Sequence, residues 1–397
     1  MKKTSVALAV GAALAAQAAW AQSANVQIYG KLYPSMLYEK GSGASPTGTV
    51  VSPITNGTAS GTNALGSTIG MVSGNSRFGF RGQEDLGSGL KAIWQIESPV
   101  SVDQGSGQIA GRDTFVGLQG GFGTVRLGNM DTIFKNYGDT LGFLGVSSGT
   151  WLSTSDVLRK VGFGVSSASS FHLRRANSVV YETPEIAGFQ AGVQWSSNEA
   201  KTATRDPKVL SFGIKYDEGP FYFAIAHEIH DDLFGGSQNA PAARRNTSDQ
   251  AVRSEDTATQ ATIEYRLGKN HKFEFDYIRK KYDENATVTG RFREYRNNAY
   301  LFAMENRWTE KWRTALQYVK SEKGSCALVG TACFTDGLEG SKYAVGAAYY
   351  FSRRTYGFGA VGRINNGKAA RYNNAEFSTP NPGEDITHVA LGIAHSF

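Results

Sequence analysis

Three sets of residues in this sequence have types and spacings that could do chemistry. The first is His227-Glu228-Ile229-His230, two imidazoles around a carboxylate, the residue types of a zinc-dependent hydrolase. A zinc helix needs its histidines four residues apart so that both share a face. Here they are three apart in a segment with strand alternation, which turns them to opposite sides. The cluster therefore reads as the polar end of a strand, and neither a catalytic residue nor a metal site is assigned. The second set is Cys326 and Cys333, an even pair that an oxidising compartment joins as a disulfide and a reducing one leaves as two thiols. The third is a series of single cations, Lys31, Arg77, Arg81, Arg112, Arg126 and Arg174. Their chemistry is electrostatic, and what it amounts to depends on whether the chain turns them all into one space.

The chain's first residues bear on its compartment. Lys2 and Lys3 precede an apolar run from Val6 to Ala16 and the small-residue site Ala19-Trp20-Ala21, the pattern of a secretory signal peptide cleaved after residue 21. The run is too short for a membrane-anchoring helix, and polar Gln22, Ser23 and Asn25 follow it. The expected division is a signal peptide at 1–21 and a single domain at 22–397. Export makes the disulfide Cys326–Cys333 the default, with free thiols as the alternative.

The whole chain has 41 Lys+Arg and 35 Asp+Glu; without Lys2 and Lys3 the basic count is 39, a formal +4. That is too small and too scattered to argue for nucleic acid, which is bound by clustered cations on a recognisable motif. Forty-seven Gly, 22 Phe and 18 Tyr accompany a mean hydropathy of −0.33. Beyond the signal, the longest run free of charged, amide and hydroxymethyl side chains is Tyr343 to Phe351, far short of a helical span. Any membrane crossing must be made by strands of about ten residues, closed into a barrel so that every backbone group is paired.

Alternation of period two recurs throughout the mature chain. Leu90, Ala92, Trp94 and Ile96 oppose Lys91, Gln95 and Glu97; Phe273, Phe275 and Tyr277 oppose Lys272, Glu274 and Asp276; Trp312, Leu316 and Tyr318 oppose Arg313 and Gln317. The connections fall into two strictly alternating length classes. Seven are short, turn-like links at 85–89, 120–123, 184–188, 217–220, 268–270, 309–311 and 352–354. Eight are long and polar, at roughly 40–75, 98–110, 131–172, 197–207, 231–257, 283–295, 321–340 and 365–385. Fifteen connections join sixteen strands. The fold expected is all-β, a sixteen-stranded antiparallel transmembrane β-barrel with short periplasmic turns and long extracellular loops, wide enough to enclose water. The first loop, Gly41 to Ser73, is low-complexity Gly/Ser/Thr and reads as a flexible exposed segment.

Giving the apolar face to lipid assigns the cations. Val26, Ile28 and Leu32 outward leave Lys31 inward; Phe78 and Phe80 outward leave Arg77 and Arg81 inward; Phe115 outward places Arg112 inward. Val125 and Leu127 do the same for Arg126, as do Val179 and Tyr181 for Arg174. Six cations from five strands would line one wall at comparable depth. The competing reading is that some pair with carboxylates such as Glu84 or Glu97 and brace the barrel.

Several runs, in the same order, resemble the trimeric porins of the neisserial and β-proteobacterial type. They are Val26-Gln27-Ile28-Tyr29-Gly30-Lys31, then Asn75-Ser76-Arg77-Phe78-Gly79-Phe80-Arg81-Gly82, then Glu84 to Ala92, Arg112 to Gln119, Phe122 to Gly128, and Arg174 to Pro184 running into Gly188-Phe189. The resemblance implies a homotrimer in the outer membrane, among lipid and lipopolysaccharide. It also implies that the third loop, Asp131 to His172, folds into the barrel and normally sets carboxylates opposite the basic wall. Its Asp131, Asp139 and Asp156 are here balanced by Lys135, Arg159 and Lys160. Phe397 ends the alternating run Val389, Leu391, Ile393, His395 and resembles the signal read by barrel-assembly machinery; an aromatic girdle role is compatible with that.

The functional expectation is passive general diffusion of small hydrophilic solutes with a preference for small anions, needing no cofactor and performing no catalysis. Most Phe and Tyr fall on the lipid-facing parity, which argues against a lumenal aromatic track. A substrate-specific channel for organic acids or sugars is the alternative. A barrel enzyme or an adhesin is the remote one.

Overall fold

The computed structural model describes residues 25–138, 140–143, 150–197 and 199–397. The expected signal peptide at 1–21 and Asp139 lie outside the described residues. The strands form one antiparallel sheet closed on itself, with sixteen barrel strands. β1 comprises Asn25–Leu32 and Ser35–Ser42, interrupted at Tyr33-Pro34, and β2 comprises Ser67–Val72 and Arg77–Gly87. There follow β3 (Leu90–Ser101), β4 (Thr114–Gly120), β5 (Gly123–Asp131), β6 (Arg174–Glu182), β7 (Phe189–Ser197) and β8 (Lys208–Glu218). The second half is β9 (Phe221–Asp231), β10 (Ser254–Leu267), β11 (His271–Glu284), β12 (Phe292–Arg307), β13 (Trp312–Ser321), β14 (Gly340–Tyr350), β15 (Thr355–Asn366) and β16 (Asp385–Ser396).

Each strand pairs with its neighbours in sequence, and β16 returns to β1. The closing register runs from Ser42↔Asp385 through Ser35↔Gly392 to Lys31↔Ser396, and Gly30 and Phe397 exchange backbone hydrogen bonds of 3.0 and 3.1 Å. Alternation sets the two faces. In β9, Phe221, Phe223 and Ile225 are exposed on the outside while Tyr222, Ala224 and Ala226 are buried inside. Exposed aromatics gather at the short-turn end: Phe122, Phe189, Phe221, Tyr265, Trp308, Trp312, Phe351 and Phe397. Such a ring suits the membrane–water interface, where an aromatic body meets acyl chains and its edge meets water.

The third loop enters the barrel. Its first segment is helix α1 (Ile133–Gly138), and a short helix α2 (Ser155–Leu158) follows later. α1 lies against β7 to β9 because Gly192 offers no side chain there: a Cβ would come within 2.7 Å of Ile133 Cδ1 and 2.8 Å of the Tyr137 hydroxyl. The loop fills the lumen's far side and gives many inward aromatics an apolar partner. Phe163 and Phe171 pack with Phe292, Tyr295 and Tyr282, and Trp151 and Phe143 pack near Tyr33, Tyr356 and Phe358. The expectation that aromatics belong mostly to the lipid side therefore fails for this set, which is buried between loop and wall.

A second departure concerns the first loop. Ser67–Val72 pairs with β1 as strand, and the loop before it folds over the barrel mouth rather than ranging freely. Ile54 is fully buried and Leu65 nearly so. Asn56 N–H donates to the Phe163 carbonyl at 2.8 Å, Thr55 Oγ1 donates to the Ala369 carbonyl at 3.0 Å, and the Leu65 N–H donates to Glu384 at 2.8 Å. Composition alone reads this segment as unstructured because its few apolar anchors are widely spaced.

Replacing Gly192 by leucine should push α1 off the wall. The expected result is a loss of about 1–3 kcal/mol, the usual range for overpacking, read as a lower denaturant midpoint, together with noisier open-pore current.

Candidate functional site

Strands β1, β2, β5 and β6 and the connection just before β4 carry the six cations singled out above, and the structure arranges them in two levels rather than one. Lys31, Arg77, Arg112 and Arg174 form the upper group: Lys31 and Arg77 sit in register across β1 and β2, and Arg77 is within electrostatic reach of Arg112 and Arg174. Arg81 lies four residues nearer the short turns on β2, and Arg126 five residues nearer on β5 than the Asp131 that pairs with Arg174. At about 3.3 Å per residue this separates the levels by roughly 13–17 Å along the strands.

Four carboxylates are interleaved with this wall. Glu97 receives Arg112 and lies 3.7 Å from Arg77, and the Tyr29 hydroxyl donates to it at 3.0 Å. Arg174 is held by Asp113 at 2.5 Å and by Asp131 at 2.7 Å. Arg126 pairs with Glu182, which also accepts from the Tyr137 hydroxyl at 3.2 Å. Burial first, then the neighbouring Glu182 charge and hydrogen bond, hold that Tyr137 hydroxyl above its ordinary pKa, so it stays a donor. Lys31 and Arg81 are different. Among the described residues neither has a carboxylate partner: Lys31 Nζ lies 4.3 Å from the Tyr33 ring centroid, and Arg81 donates to Gln27 at 2.9 Å over the Tyr29 ring.

Of the loop acids, Asp131 binds Lys135 at 2.9 Å as well as Arg174. Asp156 is buried between loop and wall and binds Lys160 at 3.0 Å, so it does not face the basic wall. Asp139 lies outside the described residues. Behind the loop, Lys280 donates to the Leu158 and Lys160 carbonyls at 2.7 and 2.9 Å, Lys342 donates to the Ser153 carbonyl, and Gln317 to the Leu152 carbonyl at 2.7 Å. Buried cations thus pin the loop through its backbone, leaving its described carboxylates, Asp131 and Asp156, to its own lysines and to Arg174.

One orientation differs from expectation, and one expected orientation has a different cause. Val116 and Leu118 are the exposed apolar residues of β4, so Phe115 faces inward, where the Arg126 guanidinium sits over its ring at 5.4 Å. Arg112 precedes the strand and reaches inward from the loop, where alternation does not apply. Glu84 makes no ion pair among the described residues, whereas Glu97 does. Sequence reasoning did not single out Asp113, Glu182, Lys280 or Lys342. Glu182 was within reach, since it shares the inward parity of β6 that Val179 and Tyr181 define.

His227 and His230 point to opposite faces. His227 contacts Thr259 on the outside at 2.8 Å, and buried His230 bonds Glu228 at 2.8 Å inside. Cys326 and Cys333 are joined in the seventh long loop, with Cα atoms 5.7 Å apart. Phe397 is exposed on the outer face beside His395.

A sequence model of Gram-negative porins matches residues 5–369. The major outer membrane protein P.IB of Neisseria meningitidis serogroup A is 35% identical over 166 residues, 41% of this chain and 46% of that protein. Its counterpart from Neisseria lactamica is 38% identical over 154 residues, 38% of this chain and 41% of that one. The matched stretch thus spans less than half the length of these curated relatives. Among solved structures, an anion-selective porin from Comamonas acidovorans superposes with a TM-score of 0.69 at 21% identity, covering 94% of this chain and all of that one. Outer-membrane expressed OmpT of Vibrio cholerae gives 0.61 at 15% identity, covering 95% and 98%. At these identities the structural likeness establishes the fold.

Glu97 is the shared counter-charge of two arginines, and Glu97→Gln should leave both uncompensated. The zero-current potential in a KCl gradient should shift toward chloride by about sevenfold in permeability ratio, since one unit charge roughly 7 Å away in a water-like dielectric changes the energy of each ion by about 0.6 kcal/mol, in opposite senses.

Proposed function

This chain belongs to the Gram-negative porin family, and from that premise we propose that it is a passive outer-membrane diffusion channel for small hydrophilic solutes that prefers anions. One observation carries the preference. Lys31, Arg77, Arg81, Arg112, Arg126, Arg174 and the loop's Lys135 face four carboxylates, Glu97, Asp113, Asp131 and Glu182. The wall keeps a positive excess, and the described acids of the third loop do not offset it. In a narrow aqueous passage with low-dielectric walls, such an excess concentrates anions and excludes cations.

Passage needs no catalytic step. An anion entering the mouth exchanges part of its hydration for guanidinium and ammonium donors, first at the upper group and then at Arg81 and Arg126. The ion pairs with Glu97, Asp113 and Glu182 keep the guanidiniums extended into the lumen without binding anions so tightly that they stay. Two levels of moderate attraction let an ion step from one to the other. The porin from Comamonas acidovorans, described as anion-selective, supports this reading by its shared fold. In keeping with the family, we place the chain as a homotrimer, exported by residues 1–21, inserted by barrel-assembly machinery and surrounded by lipopolysaccharide.

Planar-bilayer recordings in a KCl gradient test the proposal: the zero-current potential should report chloride preference, and potassium preference would overturn it. Arg77→Ser with Arg112→Ser should weaken the preference. Raising salt from 0.1 to 1 M should weaken it too, since the screening length falls from about 10 to about 3 Å.

A further inference from the structure

The lumen holds a second cationic region that the constriction does not use. Between β10 and β15, just inside the short turns, a cavity of about 550 Å³ is lined by Arg266, Lys269, Lys272, Arg307 and Arg313, with Glu305 as its one carboxylate. Glu305 is already engaged. It accepts the Gly142 N–H at 2.8 Å and the Phe143 N–H at 2.5 Å and lies 3.5 Å from Lys272. Arg266 is taken by Asp217 and Glu264. Arg307 and Arg313 have no ion-pair partner among the described residues, and the buried Nε of Arg313 has no hydrogen-bond acceptor there.

The same cavity is aromatic. Arg313 lies over the Tyr350 ring at 4.0 Å. Tyr350 stacks on Tyr356 with centroids 4.6 Å apart and planes 26° apart, and Phe143 meets Tyr356 edge-on at 6.3 Å. The register explains the convergence: Arg307 faces Arg313 across β12 and β13, and Tyr350 faces Tyr356 across β14 and β15. All four point inward.

From this juxtaposition we infer a binding subsite at the periplasmic mouth for carboxylates that carry an aromatic ring. Arg313 and Arg307 supply the fork of N–H donors that a carboxylate accepts, while Phe143, Tyr350 and Tyr356 supply a flat apolar wall for the ring. The volume is within the range that holds a small organic ligand. A bare chloride or acetate satisfies the cations and leaves the aromatic wall wet; a ring-bearing acid satisfies both. The subsite deepens the reading of the pore as an anion channel, since its solutes must reach it through that pore.

Benzoate, cyclohexanecarboxylate and acetate, added to the short-turn side of the intact protein in a bilayer, test this on the wild-type chain alone. Benzoate should reduce chloride current at concentrations roughly tenfold below acetate, an effect of the size that burying one ring face gives, with cyclohexanecarboxylate weaker than benzoate. Arg313→Gln and Tyr350→Leu should each weaken the benzoate effect by roughly tenfold, about the worth of one charge-assisted contact, while Tyr350→Phe retains it. Equal action of the three acids overturns the subsite even where chloride preference stands. Potassium preference with intact benzoate block overturns the anion-channel reading and leaves the subsite.

Discussion

A strand in hydrocarbon has nowhere to place an unpaired backbone N–H or C=O, and every feature of this molecule follows from meeting that demand. Sixteen strands meet it only because β16 returns to β1 in an unbroken register ending at the mutual hydrogen bonds of Gly30 and Phe397. Closure makes the sheet two-sided, with one face for lipid and one for water. Each side chain is assigned by whether its position is odd or even, so a few bulges and the interruption at Tyr33-Pro34 are the places where the assignment can change.

Within the closed wall, charge is organised by a division of labour. On one side, guanidiniums are spread along β2 to β6 and steadied by Glu97, Asp113, Asp131 and Glu182. These partly exposed pairs contribute little net stability; what they supply is orientation. On the other side, Lys280 and Lys342 hold the third loop through backbone carbonyls; of its described carboxylates, Asp156 is buried with Lys160 away from the basic wall, and Asp131 braces Arg174. The field inside the barrel results from which acids serve as braces and where none is placed.

Much of this is legible in the sequence, and the exceptions are instructive. Alternation and the two classes of connection specify a barrel of sixteen strands, because turn residues and period-two patterning are local properties. Phe115 is misread because an aromatic at an inward position has a local reason to be lipid-facing and a tertiary reason, the Arg126 guanidinium, to be inside. The burial of Tyr282, Tyr295 and Phe292 is not legible locally, because their apolar partner is a loop more than a hundred residues away. Part of the two-level arrangement, the four residues between Arg77 and Arg81, is written in one strand; which other cations share each level depends on the stagger between strands.

The first loop is attached through Ile54, Thr55, Asn56 and Leu65 to the third and eighth loops, and between these anchors Ser60 and Thr62 accept from Asn381 of the eighth loop. Its attachment to two other loops makes the three a single rim around the mouth, so displacing any one of them removes part of the support of the others.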